Sequence, residues 1–130
     1  MTITTTISGQ RVMLGAIVGG IEMSLRLFSN DHRPTNKDVF LTFDEPKGKS
    51  YNPLRVEGWS VSKKGAVVAK TKELSFKFPS PIGKVFGYFV TTLGKVPEVL
   101  FSERFSNGVI DIRNSGDELR ISLTTSLAKG

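Results

Sequence analysis

From Lys84 to Leu127 apolar residues recur at every second position, the period at which successive side chains of an extended chain point to opposite faces. Val85, Gly87, Phe89 and Thr91 alternate with Phe86, Tyr88 and Val90; Val99, Phe101, Glu103 and Phe105 alternate with Leu100, Ser102 and Arg104. The cleanest run comes last: Leu119, Ile121, Leu123, Thr125 and Leu127 are opposed by Arg120, Ser122, Thr124 and Ser126, one face apolar and the other polar. Gly94-Lys95-Val96-Pro97, Ser106-Asn107-Gly108 and Asn114-Ser115-Gly116-Asp117 separate these runs, and Gly, Asn and Asp accept the backbone of tight turns. The pattern predicts four consecutive strands in an antiparallel meander.

The same period returns upstream. In Glu22 to Phe28, Met23, Leu25 and Leu27 oppose Ser24 and Arg26; Leu54 to Ser62 alternates again, Val67 to Ala69 continues briefly, and Leu74, Phe76 and Phe78 mark a further strand. Residues 35–53 hold no period. Pro46, Gly48 and Pro53 punctuate them and Phe40, Phe43 and Tyr51 are embedded in them, which predicts a long loop with a short strand or turn of helix near Asp38 to Phe43. Ser8 to Ile21 is the one helical stretch: Ser8 can cap it, Val12, Met13, Ala16, Ile17 and Gly20 recur at helical spacing, and Gly15, Gly19 and Gly20 weaken it. Residues 1–8 are Thr-rich and β-branched, a composition that favours an extended arm over a helix.

Together these elements predict an all-β domain over residues 9–130, preceded by the arm 1–8. It is mainly an antiparallel β-sandwich or barrel, jelly-roll-like, of about seven to nine strands with one short N-terminal helix. The central hairpin carries Phe86 and Tyr88 on one face and Phe89 on the other, so both faces need cover. A second sheet explains one; a partner subunit or the N-terminal helix is expected on the other. Gly87 interrupts a strand of large residues and marks a close approach, expected from Trp59 or an aromatic of the facing sheet.

Composition narrows the chemistry. With 130 residues the chain can bury a core of its own. It has no cysteine, which excludes disulfides and thiolate metal sites and fits a reducing cytosol. No run of about 18 apolar residues is present to span a bilayer, and Met1-Thr2-Ile3-Thr4-Thr5-Thr6 lacks a basic leader, so the expectation is a soluble, unexported chain without a membrane partner. The net charge of +6, from 18 Lys and Arg against 12 Asp and Glu, is scattered rather than gathered into an arm or a basic helix.

Catalysis needs a nucleophile, an acid-base pair or a metal held by convergent side chains. The single histidine, His32, stands in a turn-like run; Gly83-Lys84 follows a proline-rich turn instead of a phosphate-cradling loop; Asp44-Glu45 and Asp117-Glu118 flank turns. The expectation is no enzyme, no cofactor and no bound metal. The aromatic residues of the hairpin, with basic neighbours, imitate a base-stacking platform, but their placement on both strand faces favours a core and makes a nucleic-acid partner a poor fit.

Leu25-Arg26-Leu27-Phe28-Ser29-Asn30-Asp31 with Pro34 following, the Gly58-Trp59 strand, Val85-Phe86-Gly87-Tyr88-Phe89-Val90, Leu100-Phe101-Ser102-Glu103-Arg104-Phe105 and Gly116-Asp117-Glu118-Leu119 come in an order that resembles small all-β virion proteins of tailed bacteriophages. The resemblance covers about residues 10 to 127 and is one of pattern, without a catalytic signature. It implies a role similar to that of capsid decoration, or cement, proteins, which bind the outside of an icosahedral head and hold capsomers together. The implied partners are the major capsid protein or other virion proteins, with the chain itself a homo-oligomer such as a trimer. The implied location is the virion, assembled in the host cytoplasm. Neck, tail or fibre association, or a stand-alone carbohydrate- or nucleic-acid-binding module, are the alternatives. The assembly contacts expected on this reading are Thr2, Ile3, Thr4, Thr5, Thr6 and Ile7 of the arm, and Phe40, Phe43, Lys47, Lys49 and Tyr51 of the loop.

Overall fold

The computed structural model describes residues 4–5, 22–62 and 67–127, and their regular structure is almost entirely antiparallel β-sheet. In chain order the strands are β1 (Thr4–Thr5), β2 (Met23–Phe28), β3 (Leu54–Val56), β4 (Ser60–Ser62), β5 (Val67–Lys70) and β6 (Leu74–Phe78). Then come β7 (Gly83–Val85), β8 (Gly87–Thr92), β9 (Val99–Arg104), β10 (Ile110–Ile112), β11 (Asp117–Ile121) and β12 (Thr124–Leu127). A single 3-10 turn, Phe40–Thr42, falls where a strand or turn of helix was expected. The helix expected over Ser8 to Ile21 lies outside the described residues.

The first layer is a five-stranded sheet in the order β1-β9-β8-β2-β3. Its register places Leu25 between Val90 and Leu54, so one face collects apolar side chains from three strands. The second layer is made by β5 and β6, which run along β12 and β11. Where that ribbon skips a pairing, Thr71 stitches it: its backbone N–H donates to the Leu123 carbonyl and its hydroxyl accepts the Leu123 N–H, both at 2.9 Å. Met23, Leu25, Leu27, Tyr88, Val90 and Phe101 of the sheet pack with Leu74, Phe76, Phe78, Ile121 and Leu123 of the ribbon in one buried cluster, the filling of a β-sandwich-like fold.

The connectivity departs from a meander. From β5 onward only β8 and β9 form a hairpin of neighbours; β10 returns beside β7, and β11 and β12 lie beside β6 and β5. The chain from Val67 to Leu127 is therefore a hairpin nested inside a ribbon. Alternation reveals which face of a strand is buried but not which strand lies next to it, and here the matching apolar faces of Leu74, Phe76 and Phe78 with Leu119 and Ile121 select the partner.

Two further departures have local causes. The strand expected over Leu54 to Ser62 breaks at Gly58, whose φ of 75° suits glycine and whose carbonyl accepts the Lys72 N–H at 3.1 Å; the break leaves β3 in the sheet and sends β4 to β5. Between Thr91 opposite Val99 and Val90 opposite Phe101 the register shifts, a bulge that turns both Leu100 and Phe101 into the main core while Val99 faces the other way.

Gly87 is buried opposite Phe28 on β2. A Cβ at this position would lie 2.5 Å from Phe28 Cζ and would also collide with the Glu103 carbonyl oxygen. The close approach expected here is present, but it comes from the two adjacent strands rather than from Trp59 or the facing layer.

Candidate functional site

The sheet face turned away from the main core carries Arg26 and Phe28 on β2, Phe89 and Thr91 on β8, and Val99 on β9. The chain from Ser29 onwards folds across it. Phe43 stacks on Phe89 with ring centroids 4.4 Å apart and 10° between planes, and it leans on Phe28 at 5.1 Å; Phe40 reaches Phe89 at 6.2 Å. The cover expected from a partner subunit or the N-terminal helix is thus supplied by the loop. A loop can do this because its aromatic residues bury apolar area while its backbone stays near water.

Charge then fixes the loop in place. Arg26 Nη1 lies 3.1 Å from each Glu45 carboxylate oxygen, Arg26 Nε donates to Thr91 Oγ1 at 3.2 Å, and the guanidinium sits 5.2 Å above the Phe40 ring. Tyr51 donates its hydroxyl to Glu45 Oε1 at 2.6 Å and accepts the Leu27 N–H at 3.1 Å, joining loop to sheet backbone. Burial, reinforced by the adjacent Glu45 carboxylate, pushes the Tyr51 phenol well above its ordinary range, so it remains a neutral donor. At the loop's neck, Ser29 N–H donates to the Asp44 carbonyl at 2.7 Å and Asp44 N–H to Asn30 Oδ1 at 2.9 Å.

The only histidine serves the same structure. Buried Asp38 accepts the Thr35 N–H at 2.8 Å and the Thr35 hydroxyl at 2.9 Å, and its Oδ2 pairs with His32 Nε2 at 2.9 Å. His32 in turn stands edge-on to Phe43 at 5.4 Å. Among the described residues no three His, Asp or Glu gather to hold a metal ion.

With Phe40 and Asp38 turned inward, their neighbours Val39 and Leu41 face outward, 60% and 87% exposed. The tip of the β8–β9 hairpin is held beside them: Thr92 N–H donates to the Glu98 carbonyl at 3.0 Å, and Glu98 N–H returns to Thr92 Oγ1 at 2.9 Å. That tip presents Val96, 86% exposed, and Pro97. Loop and tip enclose a groove of about 780 Å³ with Val39, Phe40, Leu41, Val96 and Pro97 along it and Lys37, Lys95 and Glu98 at its margin. An exposed apolar strip rimmed by charge is the form a protein-docking surface takes.

A second concavity, about 520 Å³, opens at the other end of β8 and β9. Tyr88 and Glu103, opposite each other in register, lie at its base, and Phe105, Ile110, Leu119 and Ile121 form its walls. Glu103 is only 3% exposed; its Oε2 accepts the Tyr88 hydroxyl at 3.3 Å, and its Oε1 has no hydrogen-bond partner. Burial pushes the Glu103 carboxyl up, with the Tyr88 hydrogen bond and the charge of the chain's N-terminus acting the other way, and burial likewise raises the Tyr88 phenol.

Neither concavity has a counterpart to borrow a function from. No protein-family model, no curated protein and no solved structure matches this chain.

Of the contacts expected from sequence, Thr2, Ile3, Thr6 and Ile7 lie outside the described residues. Thr4 and Thr5 pair with Ser102 and Phe101 of the same chain, adding an edge strand to the sheet. Phe43 and Tyr51 are 6% and 9% exposed and spend their surface inside the fold, Phe40 is half-buried, and Lys47 and Lys49 face solvent. The residues that do present apolar surface, Val39, Leu41 and Val96, were missed. Their sequence signal was present: Leu93 and Val96 stand in a hairpin tip where polar residues are the norm. Glu103 was also passed over, although it is the one acid in the alternating row Val99, Phe101, Glu103, Phe105.

Proposed function

We propose that this chain is a non-enzymatic structural protein of a bacteriophage virion, a capsid decoration protein that binds the outer head surface and stabilises contacts between capsomers. The observation that carries the reading is the groove between the 3-10 turn and the hairpin tip, where Val39, Leu41 and Val96 are exposed on a rigidly anchored loop. The ordered resemblance of its segments to small all-β virion proteins supplies the partner, and the antiparallel sandwich-like fold is compatible with it. Lys37 and Lys95 at the groove margin, with Lys47 and Lys49 further along the same loop, favour an acidic capsid surface. Each exposed pair contributes only about 0–1 kcal/mol, so many copies acting together, as an oligomer on a repeating shell, provide the hold.

Co-sedimentation with empty phage heads tests this. The protein should saturate heads at a fixed stoichiometry without sugar or DNA, and the double substitution Leu41→Asp with Val96→Asp should abolish pelleting while leaving the circular dichroism spectrum unchanged. Retention of a monomer on immobilised carbohydrate or DNA, with no head binding, would replace this reading by a stand-alone binding module. Labelling confined to the neck or tail in negative-stain images would move the protein to another part of the virion.

A further inference from the structure

The Glu103 cleft is independent of the docking groove and has a chemistry of its own. A carboxyl group 3% exposed, with one oxygen unpartnered, is a costly thing for a fold to retain unless something answers it. Arg120, the cation of the lining, is answered elsewhere: its Nε bonds Glu118 at 2.9 Å and its Nη1 lies 3.7 Å from Glu73. That leaves Glu103 inside with no cation of the lining bonded to it. Tyr88 and Phe105, with ring centroids 6.4 Å apart and planes at 47°, stand beside it as two aromatic surfaces, and Ile110, Leu119 and Ile121 continue the wall as an aliphatic lining.

We propose that this cleft binds a primary ammonium group carried on an aliphatic stem, with Glu103 Oε1 as its acceptor, the Tyr88 and Phe105 rings beside the cation, and the stem lying along Ile110, Leu119 and Ile121. Three comparisons of chemistry select this ligand. A guanidinium forks across two carboxylate oxygens and would have to share Oε2 with the Tyr88 hydroxyl, whereas an ammonium needs Oε1 alone. A divalent cation such as calcium needs about six oxygen ligands, and among the described residues no group of three His, Asp or Glu exists to begin such a set. A neutral hydroxyl would satisfy Oε1 but leave a buried charge uncompensated, whereas an ammonium supplies both the hydrogen bond and the charge, and aromatic faces attract it further. A lysine side chain of a partner protein and a free alkylamine share this chemistry.

Nuclear magnetic resonance titration distinguishes them. Titrating n-butylammonium chloride into the isotope-labelled protein should move the Tyr88, Phe105, Ile110 and Leu119 signals along saturating curves, and n-butanol at the same concentrations should not. Glu103→Gln should weaken butylammonium binding at least tenfold, and n-butylguanidinium should bind the native protein more weakly than butylammonium. Nα-acetyl-lysine N-methylamide reports on the source: binding equal to or tighter than butylammonium assigns the cleft to a protein-borne lysine, and weaker binding assigns it to a free amine. The carboxyl carbon of Glu103 provides a readout on the unsubstituted protein, since a bound ammonium must lower its titration midpoint. Equal shifts from butanol, unchanged affinity in Glu103→Gln, or a midpoint indifferent to butylammonium would each overturn the proposal.

Discussion

The two faces of the five-stranded sheet are covered by opposite means. On the inner face Leu25, Leu27, Val90 and Phe101 meet Leu74, Phe76, Phe78 and Leu123, side chains from strands far apart in sequence, with apolar contact as the main bond between layers. On the outer face a single loop does the work, adjacent in sequence to the strand it covers, and it combines one aromatic stack with a chain of hydrogen bonds from Thr91 through Arg26 and Glu45 to Tyr51. The outer cover, held by directional bonds, can be apolar on both sides, and that is why Val39 and Leu41 reach solvent without loosening the core.

Substitutions can break this contrast, beginning with Gly87 on the outer face. Gly87→Val places carbon against Phe28 of β2 and against the β9 backbone at once, so neither neighbouring strand can relax alone. The expected loss is about 3 kcal/mol or more, as for overpacking with no room to shift. It would be read from the urea midpoint, and an unchanged midpoint would show that the strands separate there at little cost.

Arg26→Ala tests whether the outer cover unfolds by itself. It removes the ion pair with Glu45, the bond to Thr91 and the cation above Phe40, for an expected loss of about 2 kcal/mol. Hydrogen exchange should quicken over residues 29–45 while the amides of β2, β8 and β9 keep their protection. Uniform acceleration across the sheet would show instead that the two faces are one cooperative unit.

The smallest effect is the most diagnostic of the inner face. Burial raises the Glu103 carboxyl above the 4.5 of an exposed glutamate, so over the window above that value the native chain keeps a proton that the unfolded chain has released. Stability therefore falls as pH rises through the window. Glu103→Gln lacks this slope: it should match the native protein at about pH 4 and exceed it at about pH 7 in thermal melts. A variant less stable than the native protein at both pH values would mean that Glu103 is held ionised by a favourable partner.

Much of this architecture was legible. Met23, Leu25 and Leu27 were assigned to one face of β2, Phe76 and Phe78 to one face of β6, and Leu119, Ile121 and Leu123 to one face near the C-terminus, and each of these sets is buried or partly buried together. A period of two is a local property of the chain, and so the amino-acid sequence alone determined where strands run and which side of each is apolar. Tertiary structure decided the rest. β11 pairs with β6 because matching apolar faces meet across 40 residues of chain, a choice that no turn signal encodes. Phe43, an aromatic residue in an irregular stretch, became a cover rather than a contact because Phe89 stood within reach only after folding, and Tyr51 of the same stretch joined the main core beside Phe76. Glu103 is an ordinary acid in a strand until β8 brings Tyr88 opposite it and β11 closes over it; its solvation, and with it its chemistry, depends on neighbours that only the folded chain supplies.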